Sequence, residues 1–140
     1  MPDQIGDRVQ NNRESARSTH ILMGTASTFP VRKINTSFNR SLKELSIHDA
    51  YEMSLDLTQN RDLEQLEIRG YDKDRSDISK CDKLWYLDCG TSRMKEIAIS
   101  NKSALKEVIF WDYCSLNERS LRFINKVLDN NNGSLTIIHF

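Results

Sequence analysis

The chain has 140 residues, enough for one domain with a modest core. Its 20 Lys+Arg balance its 20 Asp+Glu, which removes the electrostatic case for a nucleic-acid binder or a membrane-surface protein. A 38% hydrophobic content and a mean hydropathy of -0.60 fit a thin or elongated fold, and no apolar run approaches the ~20 residues that span a bilayer.

Residues 1–20, MPDQIGDRVQNNRESARSTH, are polar, mixed in charge and without periodicity, so they are expected to be a loose or disordered lead-in. They lack the apolar core of a signal peptide, which predicts a cytoplasmic chain, or a cell-surface or secreted one if a leader has been removed.

The next stretches repeat. LKELSI at 42, LEQLEI at 63, LWYLDC at 84 and LKEVIF at 105 share an L-x-x-L-x-(apolar) pattern, and their first residues, Leu42, Leu63, Leu84 and Leu105, are 21 apart without insertion. A second apolar cluster follows each start by 13 and 15 residues: Leu55 and Leu57, Ser76 and Ile78, Ile97 and Ile99. A degraded copy begins at Ile21, with Ile34 in its second cluster, and a final copy, LTIIHF, begins at Leu135, 30 residues after Leu105.

Each unit has an apolar edge that it cannot cover alone, so stacked units are expected to place residues 44–47, 65–68, 86–89 and 107–110 side by side as a parallel sheet. The second clusters form the opposite wall. Residues 117–130, NERSLRFINKVLDN, read as a capping helix, with Asn117 as N-cap, Glu118 in the first turn, and Leu121, Ile124, Val127 and Leu128 on one face. Asn132-Gly133 then turns the chain into a last strand.

Chemistry finds little support. Cys81, Cys89 and Cys114 are an odd number with no CxxC or CxxH pair. Cys89 shares its column with Ile47, Ile68 and Phe110, so it is expected to be a small buried hydrophobe, not a nucleophile. The histidines (His20, His48, His139) are widely separated and the glycines form no phosphate loop. No enzyme activity, metal or cofactor is expected.

The L-x-x-L-x-L pattern at this spacing resembles the leucine-rich repeat family, in its short 21-residue bacterial class, over about residues 21–140. That class has the form LxxLxCxxNxLxxLDLxxN. LWYLDCGTSRMKEIAISN follows it, and SLDLTQN at 54–60 follows its second half. The chain departs at both asparagine positions, which read Ala50, Tyr71, Ser92 and Tyr113, and Asn39, Asn60, Cys81 and Lys102. The resemblance implies an α/β fold: a right-handed solenoid with a parallel concave sheet, few helices and a C-terminal capping helix and strand (about 117–140).

It also implies that the concave face binds. By position that face carries a first row of Glu44, Gln65, Tyr86 and Glu107. The second row is Ser46, Glu67, Asp88 and Ile109, and the third is His48, Arg69, Gly90 and Trp111, with Ile137 and His139 added from the last strand. Glu44, Glu67, Asp88 and Glu107 make it acidic, Arg69 lies beside Glu67, and Tyr86, Ile109 and Trp111 make one end apolar and aromatic. Trp111 either anchors a partner or packs under the terminal helix. Trp85 is expected at a strand edge.

The expected function is non-enzymatic protein binding, without nucleic acid or membrane insertion. A structural or cell-surface adhesive segment is the alternative. A homodimer through an exposed sheet edge or the aromatic end also fits.

Overall fold

The fold was obtained as a computed structural model, which describes residues 9–11, 20–23, 33–48, 54–71, 73–90, 93–111 and 115–138. The described residues form an α/β structure of parallel strands with one helix: β1 (Val9–Asn11), β2 (His20–Met23), β3 (Lys33–Asn35), β4 (Glu44–Ile47), β5 (Ser54–Leu55), β6 (Gln65–Ile68), β7 (Arg75–Ile78), β8 (Tyr86–Asp88), β9 (Glu96–Ile99), β10 (Glu107–Trp111), α1 (Glu118–Asn130) and β11 (Ser134–Ile138).

A six-stranded parallel sheet has the order β11-β10-β8-β6-β4-β2. Its central register steps by one unit per strand, Glu44 against Gln65 against Tyr86 against Glu107. Parallel neighbours need a long return connection, and here the return carries a second wall, in which β1, β3 and β5 pair in one sheet and β7 and β9 in another. The strands alternate, and the inward residues Leu45, Ile47, Leu66, Ile68, Leu87, Val108 and Phe110 are buried. Leu42, Leu63, Leu84 and Leu105 are fully buried ahead of each strand, and Leu57, Ile78, Ile97 and Ile99 close the core from the second wall. This layered arrangement is compatible with a solenoid.

The sheet ends differ from the sequence expectation. Ile21 pairs with Leu45, not with the column of Leu42, and Leu135 pairs with Val108, not with the column of Leu105. Both copies are displaced by three residues because the connections at the ends do not have the regular length. An odd displacement exchanges the two faces of a strand. Ile138, not Ile137, therefore stands beside Trp111, while Ile137 takes the inward register next to Phe110 and is 43% exposed at the sheet edge. His139 lies outside the described residues. Of the expected lead-in, Val9–Asn11 is a strand paired with β3 and His20 opens β2, and the rest lies outside the described residues.

The turns are joined by a buried ladder. Asn60 is fully buried: its side-chain amide donates to the Thr36 and Asn39 carbonyls (3.0 Å each) and its Oδ1 accepts from Thr36 Oγ1 (2.6 Å). One unit on, the Cys81 thiol faces the equivalent carbonyls of Asn60 (3.6 Å) and Leu57 (4.0 Å). Lys102 does not continue the ladder. It is exposed, and Ser103 takes the buried place, where its Oγ accepts from the Leu105 N–H. Asn131 then donates to the Ser103 and Leu105 carbonyls (2.9 Å each) and completes the series.

Helix α1 starts as its sequence predicts. Asn117 Oδ1 accepts from the Ser120 N–H (2.8 Å), and Ile124, Val127 and Leu128 are buried. Its Ser120 Oγ accepts from the Ile97 N–H, which ties the helix to β9. Asn132, at φ 56, turns the chain. Gly133 follows because a Cβ there would lie 2.4 Å from the Lys106 carbonyl oxygen.

Candidate functional site on the outer sheet face

The outward residues of β4, β6, β8 and β10, with those that follow them, form one half-buried surface. Its first row, Glu44, Gln65, Tyr86 and Glu107, is in continuous register. Gln65 donates to Glu44 Oε1 at 2.5 Å. Tyr86 meets Trp85 edge to face, with ring centroids 5.7 Å apart, and Trp85 is itself exposed beyond the strand start.

The second and third rows converge on Arg69. Its guanidinium donates to Glu67 Oε2 and Asp88 Oδ2, both at 3.3 Å, and lies 4.7 Å from the Trp111 ring centroid. Glu67 is held from the other side by Ser46 Oγ (2.7 Å) and His48 Nε2. Burial pushes the Glu67 carboxyl up, but the hydrogen bonds from His48 and Ser46 and the charge of Arg69 together outweigh it and leave the group below its ordinary value. Asp88 is 3% exposed, and its Oδ1 accepts from the Gly90 N–H (2.8 Å).

That last bond ends β8 one residue before the expected 86–89. Gly90 sits at φ 44, and the Trp111 N–H donates to its carbonyl. β6 and β10 are separated by β8, so Arg69 and Trp111 meet only because the residue between them has no side chain. A Cβ on Gly90 would lie 2.7 Å from Arg69 Cγ.

The sequence-predicted residues thus divide into two groups. Glu67, Arg69, Asp88 and Trp111 form one network, with His48 and Ser46 beside it. Glu44, Tyr86 and Glu107 lie along the adjoining row, and Ile109 pairs with Asp88 in the sheet. Of the four carboxylates expected to make the face acidic, Glu67 and Asp88 therefore share one guanidinium, and Glu107 lies in the adjoining row opposite Tyr86. Trp111 is half-buried, with the Arg69 guanidinium over its ring. Sequence reading missed what Gly90 does, although a glycine standing between a cation and an aromatic in one column is a legible sign of it.

Cys89 is 1% exposed and Cys81 likewise, and burial, with Asp77 and Asp82 nearby, pushes the Cys81 thiol up to about 12. Among the described residues no group of three His, Cys, Asp or Glu is placed to hold a metal ion, and no helix is long and apolar enough to cross a membrane. Two open grooves, of about 400 and 360 Å3, lie on the second wall. Arg75 lines both, with Arg119 and Phe123 at the first and Tyr71 at the second. Compared with known protein families, with curated proteins and with solved structures, the chain matches none.

Proposed function

We propose that the chain is a leucine-rich-repeat-like solenoid that binds another protein through the outer face of its six-stranded sheet, without catalysis. The observation that carries this reading is the fixed Arg69 network. Glu67, Asp88 and Trp111 hold one guanidinium in place, so the face beside it is prearranged and loses little side-chain freedom on binding. Half-buried Tyr86, Ile109 and Trp111 supply the aromatic and aliphatic area that interface anchors use, with a polar rim around them.

The test is a cross-linked pull-down from the source organism's lysate, comparing the native chain with a Tyr86→Ala/Trp111→Ala double variant of verified fold. A protein held by the native chain and lost by the variant, with its cross-links on β6, β8 or β10, is the expected result. Equal retention of every captured protein by both chains sinks the assignment of the binding face.

A further inference from the structure

Charge elsewhere on this molecule is matched across units. Lys43 pairs with Glu64, Lys83 with Asp62, Arg75 with Glu96 and Lys95 with Asp74, and in every case the partners are 21 residues apart, on neighbouring units. Glu107 in the first row of the sheet face has no such match, since its register neighbours on the adjoining strands are Tyr86 and Ser134. Over the three rows of these four strands there are four carboxylates and one guanidinium, and that guanidinium is already shared between Glu67 and Asp88.

The same face shows what an aromatic and a carboxylate on adjacent strands hold here. Trp111 on β10 and Asp88 on β8 enclose the cation of Arg69. Tyr86 on β8 and Glu107 on β10 stand directly opposite each other, about 5 Å apart by strand spacing, and repeat that pairing with the strands exchanged. No lysine or arginine of the described residues forms an ion pair with Glu107. The Tyr86 phenol is pushed up by burial and by the carboxylates of Asp88, Glu67 and Glu107, with Arg69 opposing, so the field at this point favours positive charge. Trp85 packs edge to face on the Tyr86 ring and restricts it.

We infer that Tyr86 and Glu107 form a subsite for a lysine or arginine side chain carried on a segment of the partner protein. This rests on the protein-binding reading above. Carboxylate complementarity sets the partner's charge, and the Tyr86 ring offers a cation the kind of aromatic face that Trp111 gives Arg69.

The probe is an array of immobilised 12-residue peptides in three matched sets, in which the same positions carry arginine or lysine, glutamine, or glutamate. Native chain, Glu107→Gln, Tyr86→Ala and Glu96→Gln (a control on the second wall) are applied after thermal melts establish that each is folded. The expected result is retention on the cationic set. That retention falls at least 10-fold in Glu107→Gln and in Tyr86→Ala, is unchanged in Glu96→Gln, and weakens between 50 and 300 mM salt, as about one or two screened ion pairs require. Because Glu107→Gln keeps size and hydrogen bonding, its loss cannot be put down to misfolding.

Retention on the glutamine or glutamate set that is indifferent to Glu107→Gln overturns the cationic subsite and leaves the protein-binding reading standing. No retention on any set, together with a partner captured through this face in the pull-down, does the same. No retention on any set and no captured partner overturns both.

Discussion

Gly90 joins backbone to network. Its φ of 44 is a region that side chains rarely adopt, and its missing Cβ is the space through which Arg69 passes. Gly90→Ala is expected to destabilise the fold by about 2–3 kcal/mol, one part from backbone strain and one from displacing Arg69. A double-mutant cycle in urea separates them, because in an Arg69→Ala background only the strain remains and the cost should fall by about half. An equal cost in both backgrounds would remove the close approach from the explanation. Glu67 gives the same network a pH dependence. A carboxyl held below its ordinary value of 4.5 stabilises the fold above that value and loses its contribution as pH falls through the depressed one. Glu67→Gln should therefore be less stable than the native chain at neutral pH and should approach it below pH 4.5. Parallel stability curves from pH 7 to pH 3 would contradict the assignment.

At the scale of elements, the strands were legible and their ends were not. Apolar residues at the same three positions of every unit specify β4, β6, β8 and β10, because a parallel strand with a buried face admits one parity. Nothing in the sequence shows the length of an irregular connection, so Ile21 and Leu135 aligned by pattern to columns that they do not occupy in the sheet. Within the site, the row positions of Glu44, Glu67, Asp88 and Glu107 followed from the period. The Arg69–Trp111 contact did not, because it skips a strand and depends on the turn at Gly90. The asparagine ladder was half legible for a related reason. Lys102 stands at the periodic position, but it is exposed and the next residue, Ser103, is the buried one, a shift within a turn of unchanged length that spacing does not show. Cys81 is where the ladder is weakest, since a thiol 3.6 Å from the Asn60 carbonyl is a poor donor beside the amide of Asn60 itself. Cys81→Asn should raise stability by about 1 kcal/mol, and Asn60→Ala, which removes three buried hydrogen bonds, should cost about 3 kcal/mol. Both are read from urea midpoints at constant m. A destabilised Cys81→Asn would mean that the turn has closed around the smaller side chain.

At the scale of the whole molecule, the register makes each unit depend on its neighbours. Almost every strand contact joins residues one unit apart, and the core is a file of leucine columns closed at one end by α1 and β11. In the solenoid proposed above, stability is a sum of unit and interface terms, so damage at an end should spread from that end. A domain with one indivisible core would instead lose protection everywhere at once. Leu128 tests the difference. It is 2% exposed, packs on the last unit, and lies where a Cβ on Gly133 would meet its side chain. Leu128→Ala should cost about 2–4 kcal/mol. Hydrogen exchange should then accelerate first in residues 107–111 and 134–138, while residues 44–47 and 65–68, two or more strands away, keep most of their protection. Uniform acceleration across all four segments would show a single cooperative core and would remove the stacked-unit reading on which the proposed binding face depends.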